Sequence, residues 1–320
     1  MEGWCRLMRY INPGYAEFLD VDGGTTITDT TYNPTNGVSL YQPTDMEGVN
    51  ISASASVFYG KFDIYLPPIS SLPSNFFAKV GILKPGNMNA GLNGVGLYKY
   101  SGSYIHVKSL VGGSNDKTVT NSDITFNFGG INHFYFYFKA RSESTADGEY
   151  FICMNGEKIL EGTGKWIYMD NASKLVIYAC EATPISNIIL ADTEISTKER
   201  IQAVPLGTPV TDMIDLEDGT YLADTAGQQI LQTVDVASLI SAYGGTSQVT
   251  GIAIGGKPAY RTGDGLTTLT GLSKASGGSQ VEHGTKTLRT SPAAGTVDCY
   301  SVDTTIADMV GLELGWKAGV

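Results

Sequence analysis

Chemistry has few starting points in this chain. The sequence holds only three histidines, His106, His133 and His283, and four scattered cysteines, Cys5, Cys153, Cys180 and Cys299. A nucleophilic triad needs an imidazole beside a Ser or Cys and a carboxylate, and no such grouping is visible along the sequence. The cysteines form no Cys-x-x-Cys pair and have no neighbouring histidine, so neither a zinc site nor a disulfide framework is indicated. Cys153 and Cys180 lie in apolar runs and read as small buried hydrophobes. Acid pairs fare no better. Glu-x-Asp-x-Glu on one strand would aim its carboxylates into one cleft, because alternate residues share a face, and that string is absent. Asp215-Leu216-Glu217-Asp218-Gly219 reads as a turn, and Glu157 and Glu161 read as solvated charge. Gly251-Ile252-Ala253-Ile254-Gly255-Gly256-Lys257-Pro258 imitates a phosphate loop, but Pro258 stands where a magnesium-binding hydroxyl is needed. Asp20-Val21-Asp22-Gly23-Gly24 reads as a turn. Asp20 and Asp22 offer two oxygens to calcium without the further ligands of an EF-hand loop, and no other cofactor is expected.

Aromatic residues beside small polar ones suit a sugar better. A ring stacks on the apolar face of a pyranose while polar groups bond its hydroxyls. Tyr98, Tyr100 and Tyr104 around Ser101-Gly102-Ser103 form the leading candidate patch, followed by Trp166 and Tyr168. The competing reading is plain packing, since Tyr98 and Tyr100 share a face by the period of 2.

The elements that must carry these residues are strands. Ser52, Ser54 and Ser56 alternate with Ile51, Ala53, Ala55 and Val57, and Phe134-Tyr135-Phe136-Tyr137-Phe138 repeats the pattern with three Phe inward and two Tyr outward. Glu149 to Met154, Asn155-Gly156 and Glu157 to Leu160 form a hairpin signal, because Asn and Gly accept the positive φ of a two-residue turn. Further strands are expected at 37–41, 49–58, 60–66, 76–83, 94–100, 104–111, 124–128, 133–140, 174–179 and 185–190. No amphipathic helix interrupts them, so the expected fold is mainly β, an antiparallel jelly-roll sandwich.

Composition then shifts. All 11 Phe precede Lys198, and from Leu206 onward the aromatics are Tyr221, Tyr243, Tyr260, Tyr300 and Trp316. Pro205-Leu206-Gly207-Thr208-Pro209 resists helix and marks a linker. The expected division is an N-terminal extension over 1–13, a sandwich over 14–198, a linker over 199–209 and a smaller Gly/Thr-rich β or α+β domain over 210–320. In the last part Asp235 caps a helix carrying Val236, Leu239, Ile240 and Tyr243, closed by Gly244. Thr250 to Ile254, Gly265 to Leu272, Lys286 to Thr290, Thr296 to Val302 and Gly311 to Trp316 read as strands, with Ser273 to Gly284 as a flexible loop.

With 21 basic and 32 acidic residues the formal charge is −11, which opposes any partnership with nucleic acid phosphates. No stretch is long and apolar enough for a helical membrane span. The first residues lack the apolar core of a secretory signal.

The order His133 to Ala140, Asp147-Gly148, Tyr150 to Met154, Asn155-Gly156, the return strand, Leu175 to Tyr178 and Ile185 to Leu190 resembles the concanavalin A-like lectin/glucanase (laminin G-like) sandwich. The resemblance covers residues 14–198. It implies a fold used alike by hydrolases, sugar binders and adhesion modules, and the enzymatic members would need the acid string that is missing here. The Thr- and Gly-rich second part has the style of bacteriophage tail or virion proteins. The resulting expectation is a non-catalytic structural or adhesion protein of a phage or phage-like particle, binding a cell-surface glycan or other virion proteins. It would assemble as a homo-oligomer, a trimer suiting a fibre, and act in the virion or outside the cell after lysis. The alternatives are a glycoside hydrolase on the same sandwich and a bacterial carbohydrate-binding surface module.

Overall fold

The computed structural model describes residues 9–12, 25–27, 40–42, 47–52, 57–83, 92–101, 104–111, 114–120, 124–139, 148–164, 174–199, 201–202, 204, 206–215, 221–256, 260–261, 265–287 and 295–320. Two compact units emerge, the main part of the first spanning Asp20–Ile201 and that of the second Gln202–Val320. After a first strand, β1 (Arg9–Asn12), the first unit contains β2 (Thr25–Ile27), β3 (Leu40–Gln42), β4 (Glu47–Ser52), β5 (Val57–Leu66), β6 (Phe76–Leu83), β7 (Leu92–Ser101), β8 (Tyr104–Val111), β9 (Ser114–Thr120), β10 (Gly130–Lys139), β11 (Gly148–Met154), β12 (Glu157–Gly164), β13 (Lys174–Ala179) and β14 (Ile185–Ala191). One sheet follows the path β12-β11-β10-β5-β14-β3-β2 and the other, six-stranded, the order β4-β13-β6-β7-β8-β9. The mainly-β sandwich expected from the alternating runs is therefore present.

Alternation decides which face is core. Phe58, Phe62, Ile64 and Leu66 of β5 and Phe134, Phe136 and Phe138 of β10 are buried, and Phe134 stands opposite Phe62, Phe136 opposite Gly60 and Phe138 opposite Phe58. A Cβ at Gly60 would lie 2.1 Å from the Phe136 ring, so the glycine is the space the ring occupies. The hairpin turn carries Asn155 at φ 52° and Gly156 at φ 87°, as two-residue turn chemistry requires. Asn132, fully buried, receives the Asn155 amide at 3.0 Å and the Asn127 N–H at 2.8 Å, tying the turn to the segment before β10.

The outward-facing tyrosines of β10 are not both wet. The Tyr135 hydroxyl donates to the Ile195 carbonyl at 3.1 Å, and Lys61 of β5 donates to the carbonyls of Thr197 and Glu199. Tyr135, Ile189, Ala191 and Ile195 form a small buried cluster there, which is why every residue of β14 is buried. Residues 124–128, expected as a strand, form a bend and an irregular run. The polar run Ser114–Thr120, which lacks an apolar period, is the edge strand β9.

The second unit contains β15 (Val210–Thr211), β16 (Ile214–Asp215), β17 (Tyr221–Ala223), β18 (Gln229–Thr233), α1 (Val236–Tyr243), β19 (Gln248–Gly256), β20 (Tyr260–Arg261), β21 (Thr268–Lys274), β22 (Gln280–Thr287), β23 (Gly295–Thr305) and β24 (Glu313–Gly319). Trp316, Leu314, Leu269, Ile230 and Leu239 share its core. The Asp235 side chain accepts from the Ser238 N–H and Gly244 closes the helix at φ 81°. The loop expected over 273–284 is instead the tip of the β21–β22 hairpin, turning at Gly277 with φ 68°. Its charged and polar side chains concealed the pairing.

Replacing Phe136 with Ala is expected to cost about 3–5 kcal/mol, the range for emptying a large core site. Urea unfolding of the full chain would show this as an earlier first-unit transition with the second unchanged.

Candidate functional site

The outer face of the six-stranded sheet gathers the chemically capable side chains. On β7, Val95 and Leu97 point into the core, and on β8 so do Ile105 and Val107. Alternation therefore sends Tyr98, Tyr100, His106 and Lys108 outward. The register places Phe76, Tyr98 and His106 in one row across β6, β7 and β8, and Tyr178, Lys79, Gly96 and Lys108 in the next across β13, β6, β7 and β8. A third row, Val176, Gly81, Gly94 and Leu110, carries no charge. No carboxylate occupies any of these positions, in a chain whose formal charge is −11.

The rings are in mutual contact. Tyr100 stacks on His106 with centroids 5.0 Å apart and planes 10° from parallel. Tyr98 lies 6.5 Å from His106 with the rings tilted by 41°, and Phe76 meets Tyr98 edge to face at 5.1 Å. Lys108 Nζ sits 4.0 Å above the Tyr98 ring and Lys79 Nζ 5.1 Å from that of Phe76. Each ammonium thus has an electron-rich ring face on one side. Burial lowers the pKa of Lys79. Burial, and secondarily the Lys108 ammonium, lowers that of His106 below 6.5, so the imidazole is neutral and able to accept a proton at neutral pH.

Of the residues singled out from sequence, Tyr98 and Tyr100 belong to this face. Tyr104, two positions before His106, is 54% exposed and Tyr100 62%. Trp166, Tyr168, Asp20 and Asp22 lie outside the described residues. Among the described residues no group of three or more His, Cys, Asp or Glu is placed to hold a metal. Sequence reading missed Phe76, Lys79, His106 and Lys108 as partners of the tyrosines, because their meeting depends on strand register. That register shifts between Phe76 and Ala78 and again between Lys99 and Ser101.

The other sheet carries a separate polar cluster on its outer face. His133 Nδ1 lies 2.7 Å from Asp63 Oδ1, and the Asn187 amide donates to Asp63 Oδ2 at 2.6 Å. Asp63 is 5% exposed, whereas the His133 side chain is 69% exposed. Asn187 adopts φ 51° within the irregular pairing of β14 with β5.

No family model matches the chain, and no curated protein matches it. Solved structures do. The alginate lyase Aly36B is 15% identical, with 60% of this chain and 98% of that one covered and a TM-score of 0.39. The PL-14 alginate lyase from Aplysia kurodai is 10% identical over 59% of this chain and all of the other, also with a TM-score of 0.39. Sheep galectin-11 in complex with glycerol is 14% identical over 44% and 93%, with a TM-score of 0.30. Several of these matches are alginate or glucuronan lyases by title, and the expectation of a non-catalytic phage or phage-like structural protein is withdrawn. Physically, that expectation weighed catalysis through carboxylate pairs, triads, a phosphate loop and metal sites, and it did not consider a neutral imidazole among lysines and tyrosines.

Replacing Lys108 with Met is expected to raise the His106 pKa while leaving it below 6.5, because burial, the larger cause, persists. An NMR titration of the imidazole measures this. The unfolded chain holds the His106 proton more tightly than the folded one, so stability falls as the pH drops from 6.5 toward the lower folded value. His106→Gln should flatten that part of a stability–pH curve.

Proposed function

We propose that the first unit is a carbohydrate-processing domain that takes an acidic polysaccharide across the outer face of its six-stranded sheet. The observation that carries this reading is the carboxylate-free grouping of Lys79 and Lys108 with Tyr98, Tyr100 and His106. Lysines meet uronate carboxylates, rings lie against pyranose faces, and phenolic hydroxyls reach sugar oxygens. Among the structures of similar fold, several are alginate lyases by name, and the chemistry of this face suits an elimination.

In that reaction the uronate carboxylate sits between the two ammonium groups, which stabilise the negative charge that develops when its α-proton leaves. Neutral His106 accepts that proton. The electron pair left behind forms a carbon–carbon double bond, the glycosidic C–O bond at the β-position breaks, and a tyrosine hydroxyl, Tyr98 or Tyr100, protonates the departing oxygen. Neither metal nor water enters this balance. The runner-up is binding without turnover, favoured by the stacking of Tyr100 on His106, which covers one face of the imidazole.

The test is incubation of the full chain with polyuronate oligosaccharides and with neutral β-glucans, following ultraviolet absorbance of the unsaturated product and binding by calorimetry. Uronate should bind and be cleaved, neutral glucan neither, and affinity should fall as salt rises. Lys79→Met and Lys108→Met are each expected to weaken binding by about tenfold, or 1.4 kcal/mol. His106→Gln should abolish cleavage with binding retained. Binding without product would establish the runner-up, and indifference to every uronate would end both readings.

A further inference from the structure

One core-facing position of the six-stranded sheet is a lysine. Lys99 lies between Tyr98 and Tyr100 on β7, and alternation turns it away from them. It is 7% exposed, and Leu97 on β7 and Ile105 opposite it on β8 are buried hydrophobics. Its ammonium donates to the Leu72 carbonyl at 2.8 Å and reaches that of Ser70 at 3.5 Å, while its backbone N–H donates to the Asn75 carbonyl at 3.1 Å. A single residue therefore holds the segment from the short helical turn Ile69–Ser71 to Asn75 at three points. Withdrawing an ammonium from water is costly unless acceptors replace it, and an apolar residue of similar volume would fill the same space without that cost. What the lysine adds is the position of the segment.

That segment delivers Phe76. The Asn75 side chain accepts the Phe76 N–H at 2.8 Å, and the register shift immediately after Phe76 means that ladder pairing alone does not fix its place. The Phe76 ring in turn meets Tyr98 and lies beside Lys79 Nζ. We propose that Lys99 is a positioning residue for the saccharide face on the opposite side of its own strand, acting through the held segment to set Phe76 and, through Phe76, Tyr98 and Lys79. This rests on the acidic-polysaccharide reading above.

The experiment is a double-mutant cycle on the full chain with Lys99→Met, Phe76→Ala and the two combined, titrating a polyuronate oligosaccharide by calorimetry, with thermal unfolding as the control for folding. Lys99→Met and Phe76→Ala should each weaken binding by about tenfold, and the double variant should bind no more weakly than Phe76→Ala alone, because residues acting through one another are not additive. Should Lys99→Met fail to fold, Lys99→Arg enters the same cycle with the same expectation of non-additivity. Losses that multiply independently, or a Lys99 variant that binds as the parent does, would overturn the positioning role while leaving the saccharide reading intact. A parent chain that binds no uronate would instead remove that reading, and this role with it.

Discussion

The first unit depends on a ring standing where a neighbour has no side chain. Phe136 of β10 lies over Gly60 of β5, and this close approach lets β5 and β10 share an inner face of Phe58, Phe62, Phe134 and Phe138 with every ring buried. Interiors packed at crystal-like density transmit such a constraint to all their neighbours. Leu190 of β14 also borders the vacant position at Gly60, so the placement of three adjacent strands follows from one residue pair.

A core built this way frees the outer faces for polar work, and the two sheets use them differently. On the six-stranded sheet, Lys79 and Lys108 face outward among the rings of Phe76, Tyr98 and Tyr100, and the rows that hold them across β6, β7 and β8 carry no acid. On the other sheet the chain covers part of its own face, and there Asp63 accepts from the Asn187 amide and lies against His133 Nδ1. Their interactions are internal, whereas those of Lys79 and Lys108 with aromatic faces leave ammonium hydrogens with further bonding capacity.

What was legible in the sequence was local. The Asn155-Gly156 turn and the α1 boundaries at Asp235 and Gly244 follow from backbone preferences of single residues, and the inward Phe of β10 from alternation alone. Ser114–Thr120 escaped because an edge strand has no apolar period to display, and the β21–β22 hairpin because its tip is polar. Of the candidate site Tyr98 and Tyr100 were readable, since they share a strand face. His106, Lys79 and Phe76 were not, because they join the tyrosines across strand pairs whose registers shift at bulges, and a shift of one residue exchanges the two faces.

The segment after β14 is gripped through its main chain. Tyr135 and Lys61 hold the carbonyl oxygens of Ile195, Thr197 and Glu199, atoms that every amino acid possesses. Side chains add to this grip at particular positions, since Ile195 and Ile201 pack at the buried cluster and the Ser196 hydroxyl accepts from the Lys198 N–H. Where the carbonyl is what is held, as at Thr197, the constraint falls on Lys61, far away in the chain, rather than on the residue it holds.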